Sequence, residues 1–114
     1  MKLIIAGGRD YDLGEAQYAW LDEIHSSYGV TEVVSGGAHG ADAGGELWAL
    51  KRGLPVKIFT AEWARYDRSA GPRRNQQMAL YAEALALFPG GRGTANMRTV
   101  AAARKLLFFR YLGN

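Results

Sequence analysis

The sequence predicts a single α/β domain in which a mostly parallel sheet of about five strands lies between two layers of helices, a three-layer sandwich. Short apolar runs alternate with helical patterns along the chain, and five such units imply a parallel sheet with helices on both faces. Three of the runs end in Gly-Gly turns, which a parallel sheet brings to one edge, where ligands bind. Because the 114 residues contain no linker, residues 1–114 are expected to form one domain.

The composition narrows the class of protein and of partner. Hydrophobic residues make up 48% of the chain, too many for a disordered segment, and no apolar run approaches the ~20 residues of a membrane span. The absence of cysteine excludes disulfides and thiolate chemistry and fits a cytoplasmic protein. The net charge is +3, and arginine outnumbers lysine ten to four, which suits bidentate contacts to a small phosphorylated ligand. Because there is no long basic run, nucleic acid is not the expected partner.

Each predicted element follows from its local pattern. The predicted strands span 2–6, 31–35, 54–59, 84–88 and 106–111, and the predicted helices span 13–28, 42–52, 71–82 and 94–105. The first strand is apolar on both faces, as a central parallel strand should be. In the first helix, Trp20, Leu21 and Ile24 form an apolar stripe, and Asp12 with Glu15 resembles a capping box.

The second helix carries two candidate functional carboxylates. It is expected to bury Ala43, Leu47 and Leu50. Asp42 and Glu46 lie one turn apart on this helix, close to the edge where the strands end, so both are candidates for ligand binding or acid–base chemistry. The alternative is structural, with Asp42 capping the helix and Glu46 paired with a lysine or with solvent.

Two tryptophans indicate self-association. Trp20 and Trp48 are expected on the outer faces of their helices. Exposed apolar patches of this kind usually mark contacts, so a homo-oligomer is expected.

The stretch between the third strand and the third helix, Thr60 to Gly71, is predicted to be a loop. Its Trp63 and Tyr66 either stack on a base or cover the core or a subunit contact. Arg73 and Arg74 then begin the next helix, where positive charge opposes the helix dipole. An anion bound beside them would explain this arrangement.

The glycine-rich turn Pro89–Thr94 carries the strongest ligand signal. Its glycines let a ligand approach the backbone, Arg92 adds a guanidinium, and Thr94 is predicted to cap a helix whose first N–H groups attract anions. The turn is therefore interpreted as a phosphate cradle, and the alternative is a tight turn that holds no ligand. His39, in the second glycine turn, has no second histidine and no cysteine nearby, so no metal site is expected. No cofactor is expected either.

Four motifs in order along the chain resemble a known family. They are Gly7-Gly8-Arg9-Asp10-Tyr11, Ser35-Gly36-Gly37-Ala38-His39-Gly40-Ala41-Asp42, Ala70-Gly71-Pro72-Arg73-Arg74-Asn75 and Phe88-Pro89-Gly90-Gly91-Arg92-Gly93-Thr94. The chain resembles the YspA/YpsA-related branch of the SLOG superfamily. These are Rossmann-like domains akin to the "lonely guy" phosphoribohydrolases, the lysine decarboxylase-like proteins and the DNA-processing protein DprA.

The resemblance implies a nucleotide or nucleotide-derived ligand with its phosphate on the last glycine turn. In the phosphoribohydrolases that turn is followed by a glutamate that works with an arginine. Here Arg74 matches the arginine, but Met97 occupies the glutamate position, and His39 replaces the usual arginine of the second motif. Because methionine cannot stabilise an oxocarbenium-like transition state, either Asp42 or Glu46, or failing these Asp10, has taken this role, or the protein binds without catalysis.

The functional prediction is a nucleotide-binding protein or sensor, with a nucleotide N-glycosidase and a DNA-binding protein as alternatives. The predicted catalytic residues are Arg74, Asp42 and Glu46. The predicted ligand-binding residues are Gly7, Gly8, Arg9, Gly36, Gly37, Asp42, Arg74, Asn75, Pro89, Gly90, Gly91, Arg92, Gly93 and Thr94.

Overall fold

The computed structural model describes residues 1–113 and confirms the Rossmann-like α/β sandwich; Asn114, the end of the predicted domain, lies outside the described residues. The strands are β1 Lys2–Ala6, β2 Glu32–Ser35, β3 Val56–Ile58, β4 Ala84–Leu87 and β5 Leu107–Arg110. The helices are α1 Glu15–Tyr28, α2 Ala41–Lys51, α3 Trp63–Tyr66, α4 Ala70–Tyr81 and α5 Arg92–Ala103. The strand order is β3-β2-β1-β4-β5, and all neighbouring pairs are parallel.

The two faces of β1 divide the core into two layers. Leu3 and Ile5 point into a cluster with residues of α1 and α2, and Ile4 and Ala6 point into a second cluster with residues of α4 and α5. This alternation follows from the two-residue period of a strand, and it explains why β1 is apolar throughout. Since β1 lies in the middle of the sheet, the turn that follows it lies between the turns that follow β2 and β4.

The helix starts differ from those predicted. The helix α1 begins at Glu15, and Gly14 rather than Asp12 precedes its first turn, with the Gly14 N–H donating to the Gln17 side chain at 2.8 Å. The helix α5 begins at Arg92 and has no side-chain cap, so the predicted cap by Thr94 is wrong. The other boundaries agree with prediction to within about two residues, as expected for helix and strand ends.

The buried face predicted for α2 is wrong. Leu47 and Leu50 are exposed, and the helix instead buries Gly45, Trp48 and Ala49. Gly45 lies so close to β1 that a Cβ would meet the Ile5 side chain at 2.7 Å, so small residues let this face approach the sheet. Trp48 is fully buried, and Trp20 is half-buried and packs against Phe88 and Tyr111. The argument for a homo-oligomer from exposed tryptophans therefore fails at both positions, and oligomerisation stays a prediction.

The predicted loop from Thr60 to Gly71 contains more helix than expected. It holds the one-turn helix α3, a 3₁₀ turn at Asp67–Ser69 and the first residues of α4. Such short turns have too few residues to show a helical period, which is why the sequence pattern missed them. Within residues 1–113, no helix has the length and apolar character needed to cross a membrane.

Candidate functional site

A cavity of about 920 Å³ lies at the carboxyl edge of the sheet. The turns after β1 and β4 line it together with the start of α4 and the start of α5. Its lining residues are Ala6, Gly7, Gly8, Arg9, Asp10, Tyr11, Ala38, Asp42, Trp63, Arg68, Gly71, Pro72, Arg74, Asn75, Met78, Pro89, Gly90, Gly91, Arg92, Gly93, Thr94, Asn96 and Met97. This is the position at which parallel α/β sheets bind their ligands.

Backbone hydrogen bonds join the three glycine turns into one floor. The Gly8 N–H donates to the Pro89 carbonyl at 2.8 Å, and the Ala41 N–H donates to the Gly8 carbonyl at 3.1 Å. Gly40 has φ of +72° and lies against the first turn, where a Cβ would be 2.4 Å from the carbonyl oxygens of Gly8 and Arg9. The turn after β1 is therefore fixed by contacts on both sides.

The glycines of these turns serve two different purposes. A Cβ on Gly7 would lie 2.7 Å from the Ala41 Cβ, and one on Gly90 would lie 2.7 Å from the Gly8 nitrogen, so both glycines are needed for packing. By contrast, a Cβ on Gly91 or Gly93 would meet nothing within 4 Å. These two glycines leave open space at the cavity wall.

The start of α5 presents backbone donors beside that open space. Gly91 precedes the first turn, and no side chain caps it. The first intrahelical bond runs from the Ala95 N–H to the Gly91 carbonyl at 3.0 Å, so the amides of the preceding residues have no acceptor within the helix. The helix start thus has the polarity and the donors that bind anions.

Arg74 projects from α4 into the cavity and is held by two hydrogen bonds. Its Nη1 donates to the Gly36 carbonyl at 2.6 Å, and its Nε donates to the Asn75 side chain at 3.1 Å. Burial lowers the pKa of Arg74, the carboxylate of Asp42 opposes this shift, and the nearby charge of Arg9 adds to it. The guanidinium is therefore a partly desolvated cation with a fixed orientation.

Asn75 connects α4 to the start of α5. Its amide nitrogen donates to the Asn96 side chain at 2.9 Å and to the Gly93 carbonyl at 3.3 Å. Because Asn75 also accepts from Arg74, it fixes the arginine relative to the α5 donors.

Asp42 is a buried carboxylate close to Arg74. Burial raises its pKa, while the Ala38 N–H, which donates to Oδ2 at 3.3 Å, and the charge of Arg74 act in the opposite direction. The position that a Gly36 Cβ would take is 2.9 Å from Asp42 Oδ2 and 2.7 Å from Arg74 Nη1, so Gly36 makes room for both groups. Asp42 can therefore exchange a proton or accept a hydrogen bond inside the cavity.

Three of the predicted site residues do not line the cavity. Glu46 accepts a hydrogen bond from the buried Ser35 hydroxyl at 2.6 Å, and the same hydroxyl oxygen accepts from the Gly37 N–H at 3.1 Å. These bonds hold the turn after β2 in place against α2. Gly36 and Gly37 belong to this braced turn, and neither they nor Glu46 are among the cavity residues.

The remaining candidates divide between the cavity and the outer surface. Trp63 lines the cavity, whereas Tyr66 packs beneath the guanidinium of Arg73, 4.1 Å from ring centroid to Cζ. Met97, at the position of the relatives' glutamate, is buried and forms part of the cavity wall.

Sequence reasoning did not assign Asn96 and Met78 to the site. Asn96 lies two residues after Thr94, so its place in the first turns of α5 was the available signal.

The charges around the cavity are unequal. Its charged lining residues are Arg9, Arg68, Arg74, Arg92, Asp10 and Asp42. Four cations against two carboxylates favour an anionic ligand. Within the described part of the chain, no group of three or more histidine or acidic residues is placed to hold a metal ion.

The fold and this edge define a Rossmann-like domain with a cavity at its glycine turns. Residues 1–66 match the YspA, cpYpsA-related SLOG family, and the chain belongs to this family. The matched part contains β1 to β3 and two of the glycine turns. The chain is 33% identical over 112 residues to the Gene 61 protein of Mycobacterium phage D29, a match that covers 91% of this chain and 89% of that protein. No solved structure matches the chain.

Proposed function

We propose that this protein binds a nucleotide or a nucleotide-derived ligand in the cavity, as a sensor or binding protein of the cytoplasm. The observation that carries the proposal is the convergence of uncapped α5 amides with Arg74 and Arg92 on one cavity. Membership of a SLOG family suggests a nucleotide-related function and points the same way. The cavity volume of about 920 Å³ is sufficient for a ligand of this size.

The phosphate belongs at the start of α5 in this proposal. The open space beside Gly91 and Gly93 lets a phosphate oxygen approach the backbone, and the helix dipole favours its charge. Arg92 lies in the same turn, and its exposed guanidinium can close over the anion. Arg74 supplies a second cation, one that is already oriented by Gly36 and Asn75 and so loses little freedom on binding.

Thermal unfolding with a panel of nucleoside monophosphates, each compared with its unphosphorylated nucleoside, tests the proposal. A ligand that binds only the folded state raises the melting temperature by mass action. We expect at least one monophosphate at millimolar concentration to raise it and the matching nucleoside to have a smaller effect.

The variant Arg92→Ala should bind that monophosphate about tenfold more weakly, because it loses one charged hydrogen bond to the phosphate. Arg104→Ala removes an equal charge at the far end of the same helix and serves as the control. If no nucleotide changes the melting temperature, the proposal fails.

Asp42 supports a second candidate function, hydrolysis of the N-glycosidic bond of such a nucleotide. A carboxylate beside a fixed arginine can orient water and stabilise positive charge at the anomeric carbon. The water oxygen would bond to that carbon, the bond to the base would break, and the base would leave with a proton.

Chromatography of nucleotide mixtures incubated with the protein would detect the released base. Asp42→Asn should abolish the release, whereas Glu46→Gln, outside the cavity, should retain it. Binding without any release of base would leave the protein a binder only.

A further inference from the structure

Trp63 is exposed in a way that packing does not explain. Its residue is 50% exposed, and its indole lies on the cavity wall. The other two tryptophans are engaged: Trp48 is buried and donates to Asp22 at 2.9 Å, and Trp20 packs edge-on against Phe88. Among residues 1–113, the Trp63 ring is paired with no other aromatic ring and no cation. One face of a large apolar ring is thus left for something else to cover.

The indole is held at a defined place beside the cavity. It packs over Gly71, where an added Cβ would lie 3.3 Å from the ring carbon Cη2. Gly71 is buried in the first turn of α4, the helix that carries Arg74 one turn later. The ring and the guanidinium are therefore positioned by the same helix.

The sheet gives the distance between the two ends of the cavity floor, at the carboxyl ends of β2 and β4. Arg74 bonds to Gly36, which follows β2, and the donors of α5 follow β4. These two strands flank β1, so at the usual spacing of neighbouring strands the two ends are roughly 10 Å apart. A nucleoside 5′-monophosphate whose phosphate lies on the α5 donors can therefore extend across this floor, within the cavity that Trp63 also lines.

We propose that Trp63 is the residue that stacks on the base of the bound nucleotide, a step that rests on the proposed function. The phosphate lies on the α5 donors and Arg74, the ribose lies near Asp42, and the base covers the free face of the indole. Every base has a π-face, so stacking gives affinity without strict choice of base.

The test compares a ligand that has a base with one that lacks it. Calorimetric titrations of the wild type, Trp63→Ala and Trp63→Phe use adenosine 5′-monophosphate and ribose 5-phosphate as probes. Loss of the ring should lower the affinity for the monophosphate by roughly five- to hundredfold and leave the affinity for ribose 5-phosphate unchanged. Trp63→Phe should keep most of the affinity, because it keeps an aromatic ring. It should also lose the change in tryptophan fluorescence that the monophosphate causes in the wild type.

The outcomes separate this inference from the proposed function. If the wild type binds the monophosphate and Trp63→Ala binds it equally well, the stacking role is overturned and nucleotide binding stands. If Trp63→Ala loses the same affinity for both probes, the stacking role is also overturned, because Trp63 then shapes the cavity without contacting the base. If the wild type binds neither probe but another nucleotide of the panel stabilises it, base-tolerant stacking is overturned and nucleotide binding stands. If no nucleotide of the panel stabilises it, both proposals fall. Should Trp63→Ala fold poorly, the affinity and fluorescence of Trp63→Phe decide the question.

Discussion

Two glycines of the same turn should respond in opposite ways to replacement by alanine. In Gly90→Ala the new methyl would lie 2.1 Å from the Thr94 hydroxyl and 2.7 Å from the Gly8 nitrogen. Rotation of the threonine moves its hydroxyl but not its Cβ, which also lies 2.7 Å from the methyl, so the α5 turn itself must shift. The Gly8 amide is backbone and donates to the Pro89 carbonyl. Relief therefore requires the two turns to separate, and overpacking of this kind costs about 1–3 kcal/mol of unfolding free energy.

The variant Gly93→Ala should stabilise the protein. Its methyl meets nothing within 4 Å, and the residue lies in the first turn of α5. Alanine restricts the unfolded chain more than glycine does, which should raise the unfolding free energy by about 0.5–1 kcal/mol. The methyl would, however, occupy the open space beside the α5 donors, so nucleotide affinity should fall by about tenfold.

Urea denaturation gives the two stabilities, and calorimetric titration gives the affinity of each folded variant. The predicted pattern is an unstable Gly90→Ala and a stable Gly93→Ala that binds poorly. Equal destabilisation of both variants would refute the packing argument. A stable Gly93→Ala with wild-type affinity would mean that the phosphate binds away from the start of α5.

Three further outcomes follow from the structure. Because burial raises the pKa of Asp42, the wild type loses unfolding free energy as pH rises from about 4 through that raised pKa. Asp42→Asn should therefore be the more stable protein in urea at pH 8, by a margin that shrinks towards pH 4. Asp22→Ala leaves the buried Trp48 N–H without its acceptor, which should cost about 1–3 kcal/mol and shift the tryptophan emission. Gly40→Ala should lower the melting temperature far more than Gly53→Ala, because both have positive φ but only Gly40 also meets backbone oxygens, at 2.4 Å.

The sequence was sufficient for the fold because the relevant signals are local. Apolar runs of strand length, glycines at strand ends and regular helical stretches each depend on a few neighbouring residues. The central place of β1, apolar on both faces, was visible in Lys2–Ala6 alone. The parallel direction of the strands then followed from the alternation of strands with helices, but their order in the sheet was not predicted.

The inner face of α2 could not be predicted by counting apolar residues. The large residues Leu47 and Leu50 are spaced like a buried stripe, but they face solvent. The helix turns Gly45 and Ala49 inward beside Trp48, because neighbouring elements are close. A methyl on Gly45 would touch Ile5 of the sheet, and one on Gly44 would touch Leu13, which precedes α1. The adjacent glycines inside a helix were the usable signal, since they indicate close approach of another element.

The capping predictions failed for a related reason. Thr94 has the side chain of a good helix cap, yet its hydroxyl lies against Gly90, and α5 starts two residues earlier. The choice between these positions depends on the turn after β1, which the α5 turn contacts through Gly8. Contacts between residues so far apart in sequence leave no local pattern.

The same limit applies to the glycines that motivated the search for a ligand. A methyl group added at Gly7 or Gly90 would press against a neighbouring turn, whereas one added at Gly91 or Gly93 would enter open space. In the sequence all four look alike, so a glycine-rich turn predicts close approach of something without saying whether it is the protein itself or a ligand. Here the packing glycines hold the start of α5 against the turn after β1, and the other two leave open space beside its amides.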